Sequence, residues 1–168
     1  MIVNGVYLLQ EAPIVDMADG KMVGPGGTSF GLSEAGYDIR IKQTIRFRAG
    51  RAEVFLGDDM SQRTHWEDDP FALASAIEEF QMPGELTGIV HDKSTWARRG
   101  LSVFNTVIEP GWKGFLTLEL SYKRPSYELI IPAGSGIAQV IFHRTMQPAF
   151  YNGKYQSQPD NPVAAINS

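Results

Sequence analysis

The chain has 168 residues, 43% of them hydrophobic and 20% charged, with a formal net charge of −4 and no cysteine. That length fits a single domain over residues 1–168 and is enough to bury a core without covalent staples. The missing cysteines exclude disulfides, thiolate zinc sites and cysteine nucleophiles, and the negative charge supplies no global basic field for a nucleic-acid polymer, although a local basic cluster could still hold a small anion.

At the N-terminus, residues 1–13 show no basic region ahead of their apolar stretch, and no stretch approaches the ~20 apolar residues of a membrane span. A cytoplasmic protein with no membrane partner is expected. Residues 1–10 have room for a short helix. Residues 19–31 contain five Gly and one Pro and read as a loop. Residues 37–47 alternate as one strand, with Ile39, Ile41, Ile45 and Phe47 on one parity, and residues 52–56 form a second. Residues 71–80 are ambiguous. Their Ala, Leu and Glu content favours a helix, whereas Asp-Pro before and Met82-Pro83-Gly84 after bound the segment tightly. We read a strand. Further strands follow at residues 86–90, 115–122, 127–131 and 137–143. From Thr145 onward the chain is polar and rich in Pro, Asn, Gln and Gly, with too little apolar content for a core of its own. Seventeen Gly and ten Pro punctuating short apolar runs give the whole chain a β-rich texture.

Two segments carry chemistry. In residues 92–100, Ser94 is placed as an N-cap and Gly100 as the residue that ends the helix, so residues 95–99 form one or two helical turns. Ser94 and Arg98 then share a face, and Lys93 at the helix start makes a phosphate site. The ordinary alternative is a capped surface helix with solvated cations. In residues 115–120, Leu116, Leu118 and Leu120 share one face and Phe115, Thr117 and Glu119 the other. The leucine face must be core, so Glu119 points away from it, into solvent or into a site. Only His65, His91 and His143 occur, far apart, so nothing supports a protein-bound metal.

The order of the pieces narrows the reading. GYDIR at residues 36–40, KSTWARRGL at 93–101, IEPGWKGFLTLEL at 108–120, GIAQVIF at 136–142 and YNGKYQSQ at 151–158 together resemble the dCTP deaminase family of the dCTP deaminase and dUTPase superfamily. The resemblance implies a mainly β fold, a distorted jelly-roll or β-clip of the dUTPase-like type with short helices, assembling as a homotrimer with nucleotide sites between subunits. It makes Glu119 the catalytic carboxylate, Ser94 and Arg98 its flanking partners, and Lys93 with Ser94, Thr95, Trp96, Ala97 and Arg98 the phosphate-binding stretch. It puts Glu109, where the family more often has Asp, on the deoxyribose, Thr117 and Leu118 on the base edge through their backbone, and Gln139 before the last core strand. Tyr151, Lys154 and Gln158 become tail residues closing over the triphosphate, which makes residues 145–168 a flexible C-terminal lid.

The activity so implied is deamination of dCTP to dUTP and ammonia. Without a cysteine cluster to bind zinc, a general base must activate water, and Glu119 is placed to take the proton and pass it to the base. Arg98 would keep Glu119 ionised, since a nearby cation favours the carboxylate. The Ser94 hydroxyl and the Val107 carbonyl would position the water. Mg²⁺ is expected only through the nucleotide's phosphates. Two alternatives stand beside this reading: a dUTP diphosphatase or bifunctional enzyme yielding dUMP, with Glu109 activating a second water, and a non-catalytic nucleotide-binding trimer.

Overall fold

The computed structural model describes residues 1–167; Ser168, the last residue of the expected lid, lies outside the described residues. In chain order the elements are β1 (Ile2–Val3), α1 (Gly5–Glu11), β2 (Lys21–Val23), β3 (Ser29–Leu32), β4 (Tyr37–Arg40), β5 (Thr44–Arg48), β6 (Arg51–Phe55), β7 (Arg63–Glu67), β8 (Phe71–Gln81), β9 (Leu86–Asp92), α2 (Ser94–Ala97), β10 (Leu101–Val103), β11 (Val107–Ile108), β12 (Lys113–Tyr122), β13 (Leu129–Ile131) and β14 (Gly136–Arg144). They form three sheets. One runs β11-β9-β14-β4-β3-β2, with β1 also on β14; the second runs β10-β12-β8; the third runs β13-β5-β6-β7. The mainly β fold with short helices is as expected, and all strand pairs in the sheets are antiparallel.

Residues 71–80 are indeed a strand. Their burial alternates over much of β8, with Ala72, Ala74, Ala76, Phe80 and also Glu78 inside, and β12 pairs along the whole length. Helix propensity yields here because the apolar pattern has period two and a sheet partner exists to bury it.

The expected single strand at residues 37–47 is two strands in different sheets. β4 pairs with β3 and β14, and β5 with β6 and β13. The break lies at Lys42 and Gln43. The Lys42 N–H donates to the Ser75 carbonyl at 2.9 Å, and the buried Gln43 side chain takes the Ser75 N–H at 2.8 Å while donating to its hydroxyl at 3.0 Å. The parity of the apolar residues survives the crossing, so Ile39, Ile41, Ile45 and Phe47 are all fully buried.

The expected loop at residues 19–31 holds β2 and β3, a hairpin turned through a 3₁₀ segment at Pro25–Gly27. All three residues of β2 are exposed, so no apolar alternation marked it. β7 was hidden for the same reason, and β10 and β11 are too short to show a period. The helix after Lys93 begins one residue earlier than expected. Lys93 is the N-cap, Ser94 is the first helical residue, and no side chain caps the helix end. Gly100 closes the turn at φ +94, donating to the Ala97 carbonyl at 2.9 Å.

Two buried polar contacts pin the sheets around the site. Trp96, 1% exposed, donates its indole N–H to the Gly136 carbonyl at 2.7 Å and so roots α2 in the core. Glu78 on β8 receives the Arg40 guanidinium and the Arg40 backbone N–H, both at 2.8 Å. Burial pushes the Glu78 carboxyl pKa up and the Arg40 contacts pull it back. We expect Arg40→Ala to destabilise the fold by roughly 3 kcal/mol, the low end of the cost of stranding a buried charge because Arg40 is partly solvated. Denaturant unfolding measures it. A change below 1 kcal/mol would mean that Glu78 simply takes up a proton.

Candidate active site

A cleft of about 530 Å³ opens where β12 meets the β10–β11 connection, and it falls in the size range of small-molecule sites. Its walls are mainly apolar: Phe71 and Leu73 from β8, Ile108, Trp112, Leu116, and the tail residues Tyr155 and Val163. Glu119 stands in it opposite Leu73 in the sheet register, on the face away from the buried Leu118 and Leu120, as the strand pattern requires. A register shift between Phe115 and Thr117 interrupts that alternation and lets Leu116 join the lining.

Burial pushes the Glu119 carboxyl up from its ordinary range, partly offset by its own backbone N–H and by the Thr106 hydroxyl. Thr106 donates to Glu119 Oε2 at 3.4 Å. Its position is fixed from both sides. The Thr106 carbonyl accepts the Val90 N–H at 3.0 Å, and the Phe104 N–H donates to the Glu119 carbonyl at 3.0 Å. A second carboxylate, Glu109, enters from the turn before β12, where its carbonyl accepts the Trp112 N–H at 3.1 Å.

The tail closes one side. The Tyr155 carbonyl accepts the Trp112 indole N–H at 2.6 Å, and the Tyr151 N–H donates to the Pro110 carbonyl at 2.8 Å. Gln158 bridges Gly114, and the Thr117 hydroxyl accepts the Val163 N–H at 3.0 Å. β10 ends at Val103 opposite Leu120, so the edge of β12 at Thr117 and Leu118 has no strand partner on that side among the described residues.

Of the residues singled out in the sequence, Val107, Glu109, Thr117, Glu119, Tyr151 and Gln158 meet in this cleft. Leu118 faces the core and does not line the cleft. Lys93, Ser94, Thr95, Ala97 and Arg98 do not line it, and no cation contributes to the Glu119 pKa within the chain. Trp96 is a core anchor. Lys93 is largely buried in an ion pair with Asp38 at 2.5 Å, and Asp38 also accepts the Ser29 hydroxyl at 3.2 Å. Arg98 lines a separate groove with Arg99 and Arg124. The Gln139 amide donates to the Ser33 hydroxyl at 2.9 Å, and the exposed Lys154 donates to the Ile166 carbonyl. Sequence reasoning missed Phe71, Leu73, Thr106, Ile108, Trp112, Leu116, Tyr155, Val163 and Ala165 as lining residues. Ile108, Trp112, Leu116 and Tyr155 lie inside quoted motifs. The others come together through pairing that no local pattern carries.

Among the described residues no three His, Cys, Asp or Glu side chains converge as metal ligands, and no helix is long and apolar enough to cross a membrane.

The model of a family described as dCTP deaminase-like matches residues 16–145. A dCTP deaminase of Sulfurovum sp. (strain NBC37-1) is 37% identical over 89% of this chain and 87% of its own length. A dCTP deaminase of Campylobacter concisus (strain 13826) is 35% identical over 89% and 88%. Among solved structures, 2′-deoxycytidine 5′-triphosphate deaminase from Agrobacterium tumefaciens superposes with a TM-score of 0.56 at 12% identity, covering 88% of this chain and 50% of that one, a likeness of fold.

Proposed function

The chain belongs to the dCTP deaminase-like family, and from that membership and the cleft we propose that it hydrolyses dCTP to dUTP and ammonia, breaking a cyclic amidine C–N bond with Glu119 as general base and acid. The observation that carries this reading is a carboxylate with a raised pKa in an apolar, aromatic-walled cleft of nucleoside size. Water adds to C4 of the cytosine as Glu119 takes its proton. The proton passes to N3, Glu119 then carries the proton of the new C4 hydroxyl to the amino group, and the C4–N4 bond breaks as the C4 carbonyl forms, releasing ammonia. The aromatic walls take the pyrimidine ring, and the unpartnered edge of β12 at Thr117 and Leu118 offers backbone groups to its polar edge. Glu109 at the mouth takes the deoxyribose hydroxyl, and the Val107 carbonyl helps seat the water.

The cleft lining holds two carboxylates and no lysine or arginine. A triphosphate therefore needs cations from elsewhere, and we assign them to the α2 region of a second copy, with Ser94 and Arg98 completing the Glu119 site in a homotrimer. There Arg98 would pull the Glu119 pKa down again. Mg²⁺ would travel with the phosphate oxygens, and we assign it no ligand from the chain. Residues 145–167 act as a lid over the bound nucleotide.

Incubation with dCTP and Mg²⁺ followed by chromatographic separation of dCTP, dUTP and dUMP tests this reading. Accumulating dUTP with ammonia supports it, and unchanged dCTP refutes it. A second reading, a bifunctional enzyme ending at dUMP, draws on Glu109 beside Glu119 in one cleft and appears in the same separation as dUMP.

Thr106 orients Glu119, which yields a sharper expectation. Its hydroxyl lowers the Glu119 pKa, so removing it raises that pKa. Thr106→Val should move the acid limb of kcat/KM to higher pH and lower the rate at neutral pH by roughly tenfold, while Thr106→Ser should restore both. A Thr106→Val profile that superposes on the wild type removes Thr106 from this role.

A further inference from the structure

Gln158 divides the tail into two parts that are held in different ways. Up to that residue the tail is seated by its backbone. The Ser157 N–H donates to the Lys113 carbonyl at 3.0 Å, and the Gln158 carbonyl accepts the Phe115 N–H at 3.2 Å. Gly114 makes room for this approach, since an added Cβ there would meet the Gln158 N and O at 2.6 Å each. Beyond it, among the described residues 159–167, no backbone group bonds the backbone of any strand. The one backbone bond in that segment is local, from the Asn161 N–H to the Pro159 carbonyl at 2.8 Å. Ser157 stands just before the change at φ +60, a left-handed conformation that costs a residue with a side chain.

Side chains tether the outer segment instead. Lys42 donates to the Asp160 carbonyl at 2.9 Å and pairs with the Asp160 carboxylate. The Thr117 hydroxyl accepts the Val163 N–H. Ile166 is held by the Tyr155 hydroxyl and the Lys154 ammonium, both from the seated part of the tail itself. Lys42 and Thr117 are thus its ties to the body of the fold. The two flank β8. The Lys42 N–H is fixed on the Ser75 carbonyl at 2.9 Å, and Ser75 lies opposite Thr117 in the register. That separation is two strand spacings, about 10 Å, which the three-residue step from Asp160 to Val163 covers when extended. The segment therefore crosses the sheet as a strap, and it carries Val163 and Ala165 into the wall of the Glu119 cleft.

We propose that residues 159–167 swing about Ser157 to admit and release the nucleotide, and that Lys42 is a positioning residue that latches this strap shut through Asp160. The inference rests on the reading of the tail as a lid over a bound nucleotide, and it confines the moving part to the residues after Gln158. Opening breaks no sheet hydrogen bond. It frees the Thr117 hydroxyl and takes Val163 and Ala165 out of the cleft wall. The latch partners are 33% and 50% exposed, so their pair biases the closed form by a factor of roughly two to five, and salt weakens it. A bias of that size favours closure without trapping the product.

The test compares wild type, Lys42→Ala, Asp160→Asn, the double variant and Lys42→Arg. Elastase cuts after small apolar residues, so it should release the end of the tail at Val163–Ala165 from the open strap only, and intact mass follows the cut. When opening is fast, cleavage tracks the open population. Each single variant should be cut roughly two- to fivefold faster, the double no faster than the singles, and Lys42→Arg like the wild type. High salt should bring the wild type toward the variants. The KM for dCTP should rise by a similar factor in the single variants, with kcat moving less. Wild-type cleavage in either single variant, additive effects in the double, or a Lys42→Arg protein that behaves like Lys42→Ala overturns the latch. Faster cleavage with an unchanged KM overturns its part in the reaction. If the wild type leaves dCTP unchanged, the deaminase reading falls, while the elastase comparison still decides the latch.

Discussion

Glu119→Gln should abolish measurable ammonia release from dCTP, or lower it by at least the roughly 10²–10⁴-fold that a general base supplies. Gln keeps the shape of the side chain and can still meet the Thr106 hydroxyl, but it cannot take a proton from water. Nucleotide affinity should hold, because no lysine or arginine lines the cleft beside this carboxylate and the phosphate contacts are proposed to come from elsewhere. The wild-type pH profile belongs to the same expectation. Burial raises the Glu119 pKa and Arg98 of a second copy lowers it, and the base must be ionised, so kcat/KM should fall as pH drops through the pKa that this balance sets, and Arg98→Ala should move that limb to higher pH. The stability consequence has the opposite sense. With Arg98 removed, burial alone sets the folded pKa above the unfolded one and the neutral form is favoured in the fold, so this stability is complete below the unfolded pKa and is lost as pH rises through the folded value. Gln carries no charge to desolvate. Thermal unfolding in an Arg98→Ala background should therefore show Glu119→Gln more stable than its Glu119 parent at neutral and alkaline pH, with the difference shrinking in acid. Near-wild-type ammonia release in this variant would take Glu119 out of the chemistry.

The sequence carried Glu119 because a ten-residue strand such as β12 repeats its period often enough to fix which face is core. It carried β8 as a strand for the same reason, against helix propensity. It could not carry β2 or β7, whose side chains are all exposed, since a strand bound only by backbone pairing leaves no apolar trace. The Tyr37–Phe47 region shows a subtler limit. Alternation records which residues are buried, and it continues unbroken while the chain passes from one sheet to another at Gln43. In the cleft, motif residues near β12 were legible through resemblance. Phe71, Leu73 and Thr106 were not, because they enter through β8 pairing and through one hydrogen bond across the β10–β12 connection. The groove of Arg98, Arg99 and Arg124 was half legible: two arginines adjoin in the sequence, but the third arrives from the turn after β12, over Gly100.

A chain ending at Arg144 should remain folded and lose catalytic efficiency by about 10²-fold, the scale of a misplaced or unenclosed substrate. The fold should survive because β14 is complete at Arg144 and the described tail residues add no strand to the sheets, only the isolated Gln158 bridge and a few hydrogen bonds to β12 and the neighbouring turns. The catalytic loss follows from what the tail supplies. Tyr151, Tyr155, Gln158, Val163 and Ala165 form one wall of the cleft, and without them water reaches Glu119 freely. Glu119 would then be less desolvated, its pKa would drop toward the ordinary range, and the acid limb of kcat/KM would shift to lower pH. That shift separates loss of the lid from loss of binding contacts alone, which would raise KM without moving the limb. Trp112 would exchange its Tyr155 partner for solvent, so its fluorescence should report the exposed cleft directly. Should the shortened chain fail to unfold cooperatively, the tail would be part of the folding unit through Trp112 and Lys113 rather than a lid. Should it fold and deaminate dCTP at the full rate, residues 145–167 would have no part in catalysis.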